Sequence, residues 1–464
     1  MTALTFGSAS AAFASESQRP LDQVLSDYVA LGLDSNLALR QRNLGYERSV
    51  EALNEARGGY LPSLTFDSRF SRNDGGRTFE VPIGDLLNPV YASLNNLTAG
   101  SADPTHFPTI ANQQIQFQRA QEQQTALRLT QPLYAPKIAA DVRAQTALTG
   151  ADEAGRDAYS RVLTRDIRNA YYGWMRSQQA LRIVESSIEL LSENLRVNRS
   201  LFDNGKVTED QPLRARAELL AAEQQRVDAA NAVRQARSYF NFLLNRPLEM
   251  DVERAVMPAS LAVTMPAIEN MQSAALARRS EIHQFELAEV AAQASIDGAR
   301  AQFKPTIALA AEIGSQGELY RFNSDDRYST AALVFSWNVF NGNRSRAQLA
   351  AAKLDSRNAA AARQEIEQQI ALEVQQSRDN LQSAQSALAT ADARLDAASA
   401  AFRIATKKRD AGVINQVEFL DARSTLTSAE LNRNLTQFEF LSRKAELDFA
   451  LGVAPEPLAS ESSP

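Results

Sequence analysis

The chain contains no cysteine. That excludes disulfides, thiolate metal sites, cysteine nucleophiles and lipid attachment through an N-terminal cysteine. Histidine is nearly as scarce: among 464 residues there are two, His106 and His283. They lie far apart in sequence and in different kinds of segment, so a histidine-based triad or metal centre lacks members. No nucleophile–base pair, phosphate loop or metal-ligand cluster stands out either, so no enzyme and no cofactor is expected. His106 reads as a solvated loop residue, and His283, beside Glu281 and Glu286, as an exposed or structural helix residue. Lysine and arginine number 49 against 55 acids, a net charge of −6, and no general positive field favours nucleic acid. No run of about 18 consecutive apolar residues exists, which removes a membrane-crossing helix. The strands of a membrane barrel give a weaker signal per segment and stay open.

What is present is repetition. "FDNGKVTEDQPLRA" and "RDAGVINQVEFLDA" place Gly205 and Gly412 at matching positions (412 − 205 = 207). "ARGGYLPSLTF" and "ARAQFKPTIAL" match with Pro62 on Pro305 (305 − 62 = 243), and "LTQPLY" matches "FSWNVF" with Leu129 on Phe335 (335 − 129 = 206). The chain thus reads as two copies of one plan, residues 15–257 and 258–452. The first copy has the longer insert, about 73–124 against 315–330, rich in Gly, Pro and Asn as befits a long surface loop. Before the first copy, Ala12-Phe13-Ala14 fits a cleavage site, so 1–14 reads as the remnant of a signal peptide, although a positively charged leading region is missing. Residues 453–464 read as a flexible tail.

Each copy runs in the same order. A helix comes first, 21–57 and then 268–302, and Pro62 or Pro305 ends the segment by removing a donor and biasing the preceding residue to extended geometry. Strands of alternating character follow, expected at about 63–72 and 125–134 in the first copy and 306–314 and 331–340 in the second. Leu64, Phe66 and Phe70 share one face against Thr65, Asp67 and Arg69; Leu333, Phe335, Trp337 and Val339 stand against Ser336 and Asn338. Then come long helices, about 139–203 and 344–410, with return helices at about 209–244 and 417–451. Leu381, Leu388, Leu395 and Phe402 recur every seventh residue beside Ala384, Ala391, Ala398 and Ala405. Trp174, Leu181, Ile188, Leu195 and Phe202 do the same in the first copy. Such seams predict coiled-coil packing, and 65 helical residues span roughly 100 Å. Tyr171 and Trp174 read as core. Tyr60, Tyr134, Tyr328, Trp337 and Phe340, near strand ends, fit either an interfacial girdle or strand-to-helix packing.

Two strands per copy make four per chain, too few to close a barrel, and an open apolar sheet edge is not viable in lipid. Several chains must pool strands, or the strands belong to a soluble sheet. "GGYLPSL", "TQPLY", "VFNGNRSRAQ", "KRDAGVINQVEFLDA" and the closing "ALG", in this order and duplicated, resemble the TolC-type outer-membrane factors over about residues 20–455. The resemblance implies a mostly α chain with a small β part. It implies a homotrimer with a twelve-stranded membrane β-barrel continued by a periplasmic α-helical coiled-coil barrel. The activity implied is that of the exit duct of a tripartite efflux pump, in contact with outer-membrane lipid. The implied partners are a periplasmic adaptor (membrane fusion) protein and an inner-membrane transporter of the proton-driven (RND), ABC or related type. A duct for type I protein secretion is the alternative within the family, and a soluble coiled-coil scaffold the alternative outside it. The missing cysteine points to the non-lipidated branch.

The resemblance also suggests where the duct is gated. The hairpin tips, Asn204, Gly205, Lys206 and Val207 and then Arg409, Asp410, Gly412, Val413 and Ile414, are expected at the periplasmic end, for adaptor contact and gating. Some members carry two acids three residues apart after the second turn, and Glu418 and Asp421 fall on those positions. Residues three apart share a helix face, so three-fold symmetry would gather six carboxylates into a cation-selective ring. Read without the resemblance, the pair is better taken as solvated acids at a helix start, favoured by the dipole. A basic latch residue found in some members is here Ile414, which leaves the latch either absent or built from Arg409, Lys407 or Lys206 with Glu209 and Asp210.

Overall fold

The computed structural model describes residues 19–453 except 103–105, 118, 259, 260, 262 and 322. The expected signal-peptide remnant at 1–14 and the tail beyond residue 453 lie outside the described residues. The chain divides into two compact units that cut across the repeats. One takes the residues up to Ala52, Ala144–Gln293 and the residues from Leu354 onward; the other is Leu53–Arg143 with Ala294–Lys353.

The second unit holds a four-stranded antiparallel sheet, β1 (Ser63–Arg72), β4 (Gln121–Tyr134), β5 (Thr306–Gly317) and β6 (Arg327–Ser336), in the order β1-β4-β5-β6. Paired residues share a face. Leu64, Leu129 and Ala311 form one row and Phe66, Leu127 and Ile313 the next, while Leu309 lies opposite Leu333 and Ile307 opposite Phe335. This apolar face is bare: Phe66 is 70% exposed, Leu333 67% and Leu64 61%. The other face is polar, with Arg128 reaching Glu312 at 3.0 Å and Asp67 at 3.5 Å and the Tyr328 hydroxyl donating to Glu312 at 2.5 Å. Tyr328 therefore belongs to the polar face and to no girdle.

Three strands differ from expectation in their limits. β4 begins at Gln121, β5 runs on to Gly317, and β6 covers Arg327–Ser336, not 331–340. Trp337, Val339 and Phe340 consequently lie beyond the strand. The ladder stops at Thr306↔Ser336, where Pro305 offers no N–H to carry it further. The 73–124 insert is not a bare loop either. It carries the hairpin β2 (Thr78–Val81) with β3 (Gln113–Gln116) and a helix, α3 (Ile83–Thr98), that continues through Pro89.

The expected first helix of each copy is two helices. α1 (Leu21–Ser35) and α2 (Leu37–Gly58) part at Asn36; α6 (Ile268–Arg278) and α7 (Ser280–Ala301) part at Arg279. Both breaking residues are extended, with ψ of 125° and 122°. Each is drawn out by the end of a return helix. Asn36 Nδ2 donates to the Leu243 carbonyl (2.8 Å), while its Oδ1 caps Ala38 and Leu39. Arg279 donates to the Phe449 and Ala450 carbonyls (3.3 and 3.5 Å) and pairs with Glu281 at 2.8 Å. Bare helix-terminal carbonyls need donors, and a residue that leaves its own helix can supply one.

The long helices are α4 (Pro136–Asp203), 68 residues, and α8 (Arg344–Asp410), 67 residues. α4 starts three residues before the expected 139, at a proline whose missing N–H costs a first helical position nothing. The return helices are α5 (Asp210–Leu243) and α9 (Gln416–Ala450). The core of the first unit gathers Val24, Ile167, Tyr171, Phe240, Val374, Leu381 and Phe440, each at most 1% exposed. In the second copy the seam is buried at Leu381 (0%), Leu388 (9%), Ala391 (3%) and Ala398 (6%) and half-buried at Leu395 and Phe402, whereas in the first Trp174 is buried (3%), Leu181, Ile188 and Leu195 are half-buried, and Phe202 is exposed. Tyr171 and Trp174 are core residues, and the Tyr171 hydroxyl donates to the Glu253 carbonyl at 2.9 Å.

Candidate functional site

The two hairpin tips are built by the same hydrogen bonds. In the first, the Gly205 N–H donates to the Phe202 carbonyl and the Lys206 N–H to that of Leu201, both at 2.8 Å. In the second, Gly412 donates to Arg409 and Val413 to Lys408, both at 2.9 Å. This is a Schellman ending, which requires a left-handed residue after the helix; φ is +64° at Gly205 and +72° at Gly412. In the first tip Asn204 Nδ2 also donates to the Ser200 carbonyl at 2.7 Å. Val207 is half-buried, and Val413 is 69% exposed. Pro62 and Pro305 stand one residue ahead of β1 and β5.

The tips then diverge. In the second, Asn415 caps α9 by accepting from the Glu418 N–H at 2.9 Å. Glu418 and Asp421 both point to solvent, on the side opposite the buried line Phe419, Arg423 and Leu426. Neither carboxylate has a cationic partner within one chain among the described residues. Their counterparts are Gln211 and Arg214, the latter 3.8 Å from Asp210. Of the groups considered for a latch, Asp210 is thus matched with Arg214, and Arg409 lies 3.2 Å from Asp410 and over the Phe419 ring at 4.1 Å. Lys206 pairs with no acid among the described residues, and Ile414 is half-buried.

A clamp that sequence reading missed closes the second hairpin. The Phe402 and Phe419 rings lie 5.6 Å apart, with Arg409 on Phe419 and Arg423 on Phe402 at 5.5 Å. Cation and ring alternate across α8 and α9, each contact contributing on the order of 1 kcal/mol. Arg423 is only 5% exposed, and its Nε and one terminal nitrogen have no hydrogen-bond partner among the described residues. Burial lowers the Arg423 guanidinium from its usual range and raises the Glu430 carboxyl, while their mutual attraction opposes both shifts. An arginine at an apolar spacing, 419-423-426, was the available signal. The first hairpin has Leu195, Pro212 and Arg216 at the matching places and no clamp. His283 is exposed, 3.6 Å from Glu286, and His106 is exposed.

Residues 271–453, which hold β5, β6 and the second hairpin, match the model of the outer membrane efflux protein family. The fold is similar to the CmeC outer membrane channel of Campylobacter jejuni, with a TM-score of 0.77 at 15% identity over 97% of this chain and 94% of that one. Over residues 271–453 the chain is similar to the outer membrane efflux protein family. In fold, its sheet and helical hairpins are those of that outer membrane channel. The solvent efflux pump outer membrane protein SrpC of Pseudomonas putida is 25% identical over 304 residues, 65% of this chain and 64% of SrpC. The match thus spans just under two thirds of that relative. The alkaline protease secretion protein AprF of Pseudomonas aeruginosa is 24% identical over 349 residues, 72% of this chain and 70% of AprF.

Proposed function

We propose that the chain is the exit duct of a tripartite efflux pump. Three copies pool four strands each into a twelve-stranded barrel, and their helical hairpins line a tunnel across the periplasm. Small molecules pass from an inner-membrane transporter and a periplasmic adaptor to the exterior. The sheet carries this reading. Among the described residues its apolar face is uncovered and its edge strands β1 and β6 have no outer partner. A bilayer accepts such a face but not such edges, so copies of the chain must supply the missing neighbours. A 68-residue helix of roughly 100 Å supports a reach across the periplasm, and the similarity to a solvent efflux component supports small-molecule cargo. The soluble-scaffold reading has no use for the bare apolar face. The similarity to AprF favours protein secretion as the second reading. Deleting the gene and scoring solvent sensitivity against loss of a secreted protein separates the two.

Within the duct, Glu418 and Asp421 from three copies form the cation-selective constriction, and the tips from Asn204 to Val207 and from Arg409 to Ile414 meet the adaptor. The support is their solvent-facing position on the first turns of α9, together with Gln211 and Arg214 in place of acids at the matching positions of the first hairpin. In planar bilayers, Glu418→Gln with Asp421→Asn should cut the preference for cations and weaken block by multivalent cations on the order of tenfold. Unchanged selectivity would place the ring elsewhere.

A further inference from the structure

α3, in the insert between β1 and β4, is built inside out. Its inward line is polar. Asn88 exchanges two hydrogen bonds with the backbone of Ile110, both 2.8 Å, and Asn95 exchanges two with that of Phe107, at 2.9 and 2.7 Å. Seven residues apart, the two amides share one face, and between them Tyr91 lies against Phe107 with ring centroids 5.2 Å apart. At the start of the helix a Cβ on Gly84 would stand 2.4 Å from the Ile110 carbonyl oxygen. The polar face is therefore zipped to the chain's own returning segment. The apolar side chains point the other way: Leu86 is 71% exposed, Val90 51% and Leu97 81%, with Leu87 and Leu94 beside them at 36% and 37%. A helix on a water-covered surface has the reverse arrangement, so a cover is required.

We propose that this face packs on a second copy of the same chain, clasping neighbours together just beyond the end of the sheet. The inference rests on the pooled-strand reading above. The insert springs from Arg72 of β1, paired with Gln121 where β4 begins. β1 is an edge strand, so the copy that completes the sheet there stands next to the insert. A lipid surface is the weaker occupant. Helices that lie on membranes present lysine and arginine on their polar face, whereas the only charge on α3 is Asp85 and its polar face is occupied by the asparagine pairs.

The test uses the full-length chain in native outer membranes, with a photoreactive probe installed as Leu97→p-benzoylphenylalanine and, separately, Leu86→p-benzoylphenylalanine. Illumination should give adducts of twice the chain mass whose peptides all come from this chain. In parallel, Leu86→Ser with Leu97→Ser should shorten the lifetime of the detergent-extracted oligomer at least about tenfold, since two leucines lose their burial. Adducts to lipid or to another protein, or an unchanged lifetime, with the extracted protein still oligomeric, would overturn the clasp and leave the pooled barrel standing. A monomeric mass on extraction would overturn both.

Discussion

Arg423 and Glu430 show how a residue can matter without touching anything that passes through a duct. Arg423 is buried on the α9 line that meets Phe402, with two nitrogens unpaired. Such a group carries an uncompensated desolvation cost, offset here by ring contact and by the packing of its alkyl stem. Arg423→Met, which keeps the stem and removes the charge, should leave the hairpin as stable or more so. Arg423→Ala should destabilise it by about 1–3 kcal/mol, read by hydrogen exchange of the 395–430 amides. Glu430 supplies a pH signature. Burial holds its folded pKa above the unfolded value. Its protonated form therefore contributes stability that is fully present below the ordinary glutamate range and is lost as pH rises through the raised value. Glu430→Gln should match the wild type in acid and become the more stable protein towards neutral pH, in thermal melts across that window. A constant difference would mean that the carboxyl is not desolvated in the assembled protein.

Among the elements, the tips were legible and the helix breaks were not. Gly205 and Gly412 announce a left-handed turn because only their immediate neighbours decide it, and nothing lies within 4 Å of a Cβ added at either. Substitution there meets backbone strain alone. Gly412→Asn should be nearly neutral, since asparagine tolerates this region, whereas Gly412→Val should cost about 1–2 kcal/mol and raise proteolysis at the second tip. Equal behaviour of the two variants would mean that the turn rearranges freely. Asn36 and Arg279 gave no such warning, because each bends its helix to reach carbonyls at Leu243 or at Phe449 and Ala450, far along the chain. In the same way, Trp337 and Val339 continue the alternation of β6, but the ladder ends where Pro305 leaves no donor.

At the scale of the molecule, the described residues of one chain form an incomplete object: a sheet with two open edges, an uncovered apolar face, and a carboxylate pair with no cationic partner. Extraction in mild detergent should therefore yield a particle with the mass of three chains. A monodisperse single chain that still conducts would refute the pooled barrel. The proposed gate belongs to this scale as well, because Glu418 and Asp421 would converge only between copies.

The sequence by itself determined whatever rests on contacts within a few residues or on a strict period. These are the glycine turns, the prolines at Pro62 and Pro305, the seven-residue spacing, the alternating strands, and through their order the resemblance to the TolC-type factors. Only the tertiary structure decided which helices would break to serve distant carbonyls, where β6 would lose its partner, that Arg423 would be sealed against Phe402, and that α3 would turn its asparagines inward and its leucines out. The reason is physical. A turn or a periodic face is settled by local geometry, whereas a buried charge, a borrowed hydrogen bond or an inverted helix is settled by a partner outside the local window, 22 residues away for Asn88 and Ile110 and 207 for Asn36 and Leu243, or, for the leucines of α3, on another chain.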